Sequence, residues 1–529
     1  MYYLCGKYPF VMNIPLVKYP VGVQSFEKLR EYSYIYIDKT DLIYDLVTSD
    51  NCIFLARPRR FGKSLLLSTI QAYFEGKKEL FKGLAIERLE TEWQTHAVLA
   101  LSLAKYSPSE ESSLNDILDY QFKIWEKEYG VTIESANLPA RFDNIIRTAY
   151  EKYGRPVVIL IDEYDNPIIS TMHNMERSEA NRQLLKSIYV NIKDLDRYIR
   201  FTMLTGVSRF SKMTIFSGLN NLRDISFNRK YATICGITET ELTTNFQQGI
   251  KELAGEYGTD AEGAVALLKA NYDGYHFTAD CPDLYNPFSL LWAFADSKIG
   301  SYWFQSGTPE FLVHRIQESG DFLPEMFDET VEERTLSASD ISKTSPTALM
   351  YQTGYLTIKR AEGRDLFRLG IPNLEVRRGL FENLAEYFFD KDDVKVANNV
   401  RRVRNLLEEK KIDEAMERLQ TFMAGIPYEM SQRATELHYE NNLFIIFVLI
   451  GVDAKPEWHT SRGRIDLLLR MRNYIYIIEL KLDGTPEEAL AQIREKDYAR
   501  QFTGDPRPVV RLGVTFSTET RNIAAWQAE

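Results

Sequence analysis

Over the first 240 or so residues of this 529-residue chain, short apolar runs alternate with longer amphipathic stretches. Ile53–Ala56, Val98–Leu103, Val157–Ile161 and Phe201–Thr205 are largely apolar and bounded by polar or turn residues, the pattern of strands buried on both faces. Between them Ser113–Tyr129, Leu138–Tyr153 and Glu179–Asp196 repeat apolar residues at helical spacing, and each is long enough for a crossover helix. The alternation predicts a parallel sheet flanked by helices.

From about Asn245 to Val400 the strand signal fades and helical spacing takes over, as in Ala261–Ala270 and Leu380–Phe389. This predicts a mainly helical connecting region. Its aromatic turns, Tyr272-Asp273-Gly274-Tyr275 and Tyr285-Asn286-Pro287-Phe288, are expected to pack against the preceding sheet. A charged helical pair follows, Val403–Lys410 and Ile412–Met423, broken at Lys411, and a further helix is predicted over Thr435–Gly451. Strands then return at Ile465–Met471, Tyr474–Leu482 and Val509–Phe516, with a helix at Pro486–Phe502 between the last two. The expected architecture is a multidomain α/β protein: a sheet domain at 12–240, helices at 241–400 and a small, separate α/β unit at 401–529.

With 44% hydrophobic and 26% charged residues, the composition is that of an ordinary globular protein. A formal net charge of −11 argues against a surface coated in nucleic acid. It leaves room for local basic grooves, since clusters such as Arg57/Arg59/Arg60 and Arg462/Arg464/Arg470/Arg472 act over about 8–10 Å. Cys5, Cys52, Cys235 and Cys281 form no C-x-x-C pair. His96, His173, His276, His314, His438 and His459 form no H-E-x-x-H, so the common zinc patterns drop out. No G-x-S-x-G marks a serine hydrolase. The longest apolar run, Leu443–Ile450, falls far short of the roughly 20 residues a bilayer requires. Met1–Pro20 lacks a continuous signal-peptide core, so a cytoplasmic location without membrane contact is expected, and Met12 offers an alternative start.

The most informative run is Arg57-Pro58-Arg59-Arg60-Phe61-Gly62-Lys63-Ser64, between the apolar stretch ending at Ala56 and the helix-like Leu65–Phe74. A strand that turns into a helix aims free backbone N–H groups and the positive end of the helix dipole at one point, where a polyphosphate can sit. Lys63 would reach the terminal phosphates of ATP and Ser64 would hold Mg²⁺. The usual G-x-x-x-x-G-K-[ST] pattern opens on glycine, and here Arg57 takes that place. About 100 residues on, the strand-like Val157–Ile161 ends in Asp162-Glu163, which suits a Mg²⁺ carboxylate (Asp162) and a residue that orients water (Glu163). Thr205, Ser208 and Arg209, at the end of the next strand, are candidates for sensing the γ-phosphate.

Near the other end, Asp466 begins one strand, while Glu479 and Lys481 lie near the end of the next. Residues two apart on a strand share a face, so two carboxylates and a lysine converge across the hairpin. Oxygen ligands of this kind suit Mg²⁺ or Mn²⁺, and the lysine can position water and stabilise phosphate charge.

Tyr19–Phe26, Tyr36–Thr40, the Arg57–Ser64 run, Ile161–Asp165 and Phe216–Leu222 together resemble the AAA-ATPase-like proteins, in which the same altered loop precedes a C-terminal nuclease-like domain. The resemblance implies that arginine at the first loop position is a family trait. Pro58 can stiffen the turn in the absent glycine's place, and Arg57, Arg59 and Arg60 would neutralise phosphate charge or face solvent or nucleic acid. Asp38-Lys39 would border the adenine pocket. Asp466, Glu479 and Lys481 resemble the D…ExK core of PD-(D/E)XK nucleases. Gln492, with Lys496 and Tyr498 beyond it, resembles the helix motif of that superfamily, and Glu436, rather than Glu440, fits as a further acidic metal ligand. The resemblance implies an ATPase coupled to a Mg²⁺-dependent nuclease with DNA as the favoured nucleic acid, and it leaves room for a homo-oligomer. The alternative is a nucleotide-dependent switch or scaffold that grips nucleic acid or a protein partner without cutting.

Overall fold

The computed structural model describes residues 17–107, 113–133, 137–172, 174–209, 221–303, 329–336, 345–363, 365–389, 393–424, 453–460, 463–520 and 522–529, with isolated positions at 216, 312, 316, 326–327, 444–446 and 448. The first sheet contains β1 (Cys52–Ala56), β2 (Val98–Ser102), β3 (Val157–Asp162), β4 (Ile199–Gly206) and β5 (Arg223–Asp224). Its order is β2-β3-β4-β1-β5 and every pairing is parallel. The helices of this half are α1 (Phe26–Glu31), α2 (Thr40–Ser49), α3 (Lys63–Phe74), α4 (Leu114–Tyr129), α5 (Leu138–Tyr153), α6 (Asn166–Ile169) and α7 (Met175–Asp194).

Alternation along β1 divides the core. Ile53 and Leu55 join the apolar cluster that holds Leu66, Ile70 and Phe74 of α3. Cys52 and Phe54 point the other way, into the cluster of Leu118 and Phe122 on α4, Phe142 and Ile145 on α5, and Ile188 on α7. All six residues of β3 are buried, so the strand reads as one apolar run ending in a carboxylate.

Four helices follow, α8 (Glu239–Asn245), α9 (Gln247–Glu256), α10 (Ala261–Tyr272) and α11 (Pro287–Ala295). They form a core of their own, into which Tyr19 inserts 5.6 Å from the Phe294 ring. The sequence pattern misses a small antiparallel sheet in this region, ordered β6 (Thr330–Glu332), β8 (Leu366–Gly370), β7 (Thr357–Ala361). Among the described residues no helix is long and apolar enough to cross a membrane.

The last sheet is ordered β13 (Asn522–Ala528), β12 (Val509–Ser517), β11 (Ile475–Leu482), β10 (Gly463–Arg470), β9 (Asp453–Thr460). β11 and β12 are parallel, joined across the helix Pro486–Glu495, and the remaining pairs are antiparallel. The helix ends earlier than its pattern suggests because Asp497, at φ 49°, turns the chain into a short 3-10 segment at Tyr498–Phe502. The expected helix at 435–451 lies outside the described residues except for a few helical positions at 444–446 and 448. Leu467, Leu469 and Tyr476 belong to one continuous apolar cluster with Val403 and Leu407, with Leu380 and Phe381, and with the α3 face of the first sheet.

Candidate nucleotide and nuclease-like sites

Gly62 stands at the N-terminus of α3 with φ 94°, a left-handed conformation that β-carbon-bearing residues rarely adopt, and it turns the chain from loop into helix. In front of it lies a cavity of about 420 Å³ whose wall includes Gln24, Arg59, Arg60, Lys63, Ser64 and Glu163. An adjoining apolar cavity of about 100 Å³ is lined by Ile35, Ile37, Lys39, Gly62, Leu66 and Ile237, among others. Lys39 bonds Glu241 at 2.5 Å, while Asp38 turns away and accepts from Thr40 and from Ala85 N–H.

The Lys63 amine is buried and donates to the carbonyls of Arg57 and Pro58, each at 2.9 Å. Burial pulls its pKa down, opposed by the negative charges of Asp162 and Glu163. Ser64 Oγ donates to Asp162 Oδ2 at 2.6 Å, which brings the helix start and the end of β3 together. Asp162 Oδ1 accepts from Thr205 Oγ1 at 2.6 Å. Glu163, at φ 52°, projects into the cavity wall, and burial followed by Asp162 raises its carboxyl pKa.

Two arginines stand elsewhere than their sequence role suggests. Arg57 is 2% exposed, and its guanidinium donates to the carbonyls of Ala56 and Ser226 and lies 4.1 Å from the Phe277 ring centroid. It braces the loop from behind instead of neutralising phosphate. Arg209 pairs with Asp224 at 2.7 Å and stacks over Phe227, so its charge is engaged at the β5 edge and not at the cavity. Ser208 donates to Asp165, which also accepts from the Val207 and Ser208 N–H groups. Asp165 was not singled out from the sequence, although it ties the turn after β3 to the end of β4. Arg59 and Arg60 do reach the cavity wall.

The loop is held by the region that follows the first sheet. Phe61 is buried between Tyr275 and Phe277, with ring centroids 4.7 and 5.3 Å away. Arg60 lies over Phe288, and Arg59 O accepts from Trp303 Nε1 at 3.3 Å. Pro58 packs on Gly354, where an added Cβ would meet the proline Cβ at 2.7 Å. Tyr275 and Phe288 belong to the aromatic turns expected to pack against this half, whereas nothing in the spacing of the sequence marks Phe277, Trp303 or Gly354.

In the last sheet, the antiparallel register that pairs Leu467 with Ile478 sets Asp466 opposite Glu479. Asp466 Oδ2 accepts from Leu480 N–H at 2.8 Å. Glu479 is fully buried, and burial followed by the adjacent Asp466 pushes its carboxyl up to about 9. Gln492 bridges Glu479 and Lys481: its Nε2 donates to Glu479 Oε1 and its Oε1 accepts from Lys481 Nζ at 2.8 Å. Lys481 Nζ is 4.0 Å from Glu479 Oε1. Asp466, Glu479, Lys481 and Gln492 therefore come together. Lys496 is exposed, and Tyr498 packs into a small core with Ile465 and Leu468. Glu436 and Glu440 lie outside the described residues, and among the described residues no group of three or more His, Cys, Asp or Glu side chains is arranged around a metal.

Residues 20–216 match the model of a family described as predicted AAA-ATPase, and residues 434–526 match the PD-(D/E)XK nuclease superfamily. An uncharacterized protein encoded in the vnfD 5' region of Azotobacter chroococcum mcd 1 is 34% identical over 522 residues, spanning 97% of this chain and 99% of that protein. The chain belongs to the AAA-ATPase-like family. Its nuclease-like part carries the Asp466, Glu479 and Lys481 set within the residues matched to the second family.

Proposed function

We propose that this AAA-ATPase-like protein binds Mg·ATP at the 57–64 loop and uses it to control a metal-dependent phosphodiesterase acting on nucleic acid, with DNA favoured. The ATPase part is assigned to 12–240, the connecting region to 241–400 and the nuclease-like part to 401–529. The observation that carries the nucleotide half is the Ser64–Asp162–Thr205 chain of hydrogen bonds beside the buried Lys63 amine. It gathers hydroxyl, carboxylate and cation at the mouth of a cavity large enough for a triphosphate. Lys63 and the loop N–H groups would bind the β- and γ-phosphates, Ser64 and Asp162 would hold Mg²⁺, and Glu163 would orient water. The adjoining apolar cavity suits the adenine ring.

The nuclease-like half is supported by the fully buried Glu479 carboxyl, which the hairpin register sets against Asp466. Two acidic groups facing each other in the interior are relieved by a cation, so Asp466 and Glu479, once ionised, would hold Mg²⁺ or Mn²⁺, with Glu436 as a further ligand. A metal held there would supply charge neutralisation on the phosphodiester and a more acidic bound water. Lys481, oriented by Gln492, would help water attack the phosphorus.

Calorimetry with a slowly hydrolysed ATP analogue and Mg²⁺ tests the first half: wild type should bind and Lys63→Ala should not. Incubation with single-stranded, duplex and branched DNA, with and without ATP, tests the second. Lys481→Ala should stop cleavage while ATP binding persists, and no cutting by wild type under any condition would favour a non-cleaving switch.

A further inference from the structure

A phosphate loop works by keeping peptide N–H groups turned toward its ligand, and glycines usually permit the backbone to do so. Here Gly62 is the first glycine of the loop, and Arg60 adopts φ 68°, a strained value for a residue with a side chain. Something outside the loop must hold that shape. The Trp303 indole N–H donates to Arg59 O at 3.3 Å. In a trans peptide the carbonyl oxygen and the next N–H point in opposite directions, so holding Arg59 O toward Trp303 turns the Arg60 N–H the other way. Arg60 itself lines the cavity.

Trp303 is in turn held by Glu375. Oε1 of this buried carboxylate accepts from the N–H groups of both Tyr302 and Trp303, at 2.6 and 2.9 Å. Glu375 lies in the first turn of the helix Leu374–Phe389. Asn373 anchors that turn, accepting from Val376 N–H and donating to Asp273 O. Along the helix, Leu380, Phe381 and Leu384 enter the cluster of Val403 and Leu407 on the helix Asp393–Glu408. Tyr476 OH donates to Leu407 O at 2.7 Å, and the Glu408 carboxylate accepts from Arg472 and Asn473 N–H at the turn of the β10–β11 hairpin. That hairpin bears Asp466 and Glu479.

We propose that Trp303 and Glu375 are positioning residues that set the Arg59–Arg60 peptide of the phosphate loop and carry nucleotide occupancy along the helix Leu374–Phe389 to the nuclease-like hairpin. The inference rests on nucleotide binding at the loop and adds the route by which binding is felt elsewhere. A ligand drawing on the Arg60 N–H fixes the peptide that Trp303 already holds, and the two hydrogen bonds strengthen together. When the loop relaxes, Trp303, Glu375 and the helix start relax with it.

Hydrogen–deuterium exchange on the full-length protein, with and without a slowly hydrolysed ATP analogue and Mg²⁺, tests this. In wild type the analogue should slow exchange in peptides covering 57–64 and change it in those covering 374–389. Trp303→Phe keeps the ring and removes the donor; it should weaken analogue binding about two- to tenfold, the contribution of one neutral hydrogen bond. At saturating analogue this variant should still protect 57–64 while 374–389 no longer responds. Glu375→Gln keeps an acceptor oxygen and should retain the response, whereas Glu375→Ala should lose it. Protection of 57–64 with a silent 374–389 in wild type overturns the route even if no variant folds, as does an unchanged response in Trp303→Phe. Absence of any protection at 57–64 in wild type removes the nucleotide site itself, and the route falls with it.

Discussion

Thr205 Oγ1 donates to Asp162 Oδ1 at 2.6 Å across adjacent strands, because β4 runs between the loop strand β1 and the carboxylate strand β3. The hydroxyl fixes one oxygen of Asp162 while Ser64 takes the other. Thr205→Val preserves shape and removes the donor. With one charge-assisted bond lost, roughly 1.5–3 kcal/mol, ATP turnover should fall at least tenfold while analogue affinity changes less, as steady-state kinetics and calorimetry would show.

Asp273 should make stability depend on pH. It is 2% exposed with an unpartnered Oδ1, and burial raises its pKa to about 6. The folded state therefore holds a proton that the unfolded state, at the ordinary carboxyl value of 3.8, has already released. The stabilisation is complete at acid pH below the unfolded value and is lost as pH rises through about 6. Asp273→Asn removes this dependence. Its melting temperature relative to wild type should climb between pH 4 and pH 7, and a constant difference would refute the assignment.

Glu479 should couple metal binding to proton release. Its carboxyl, pushed up to about 9 by burial and Asp466, must ionise to serve as a ligand. Mn²⁺ should raise the melting temperature of wild type more at pH 8.5 than at pH 6.5, and titration heats should vary with the buffer's ionisation enthalpy. Chelation with EDTA should abolish both the shift and any DNA cleavage, and Glu479→Gln should show no Mn²⁺ shift at either pH.

Gly354 ends the helix Pro346–Thr353 at φ 92°, and a Cβ there would strike Pro58 of the loop. Gly354→Ala should cost about 1–3 kcal/mol through backbone strain and overpacking, lowering the melting temperature. Because the displaced neighbour belongs to the loop, analogue affinity should drop as well. A melting shift without loss of affinity would show that Pro58 yields without disturbing its neighbours.

The first sheet was legible in the sequence because strands buried on both faces leave unbroken apolar runs, and Val157–Asp162 shows this most clearly. β5, two residues long, and β6, three long, leave no periodic signal. β9 carries Pro456 and mixed charges, so its pairing with β10 depends on the partner strand more than on its own pattern. The meeting of Asp466, Glu479 and Lys481 was legible because strand spacing brings such residues to one face, and Gln492 was legible only through its resemblance to the superfamily's helix motif. Arg57 was not, since a positive charge in a loop does not reveal that two carbonyls and an aromatic ring wait behind it. Trp303 and Glu375 meet across 72 residues of sequence, a separation no local pattern encodes.

The apolar cluster that runs from Ile53 and Leu66 through Leu380 and Val403 to Leu467 and Tyr476 bears on how the molecule comes apart. Regions sharing one interior lose their stabilising burial together, so heating should melt them in a single cooperative transition and limited proteolysis should yield few stable fragments. A fragment starting near residue 453 would leave the apolar sides of Leu467, Leu469 and Tyr476 facing water and would be prone to aggregate. Any cleavage activity that the last sheet carries would thus be hard to release by a cut at residue 453, because such a cut removes the helix Asp393–Glu408, whose Val403 and Leu407 share its interior.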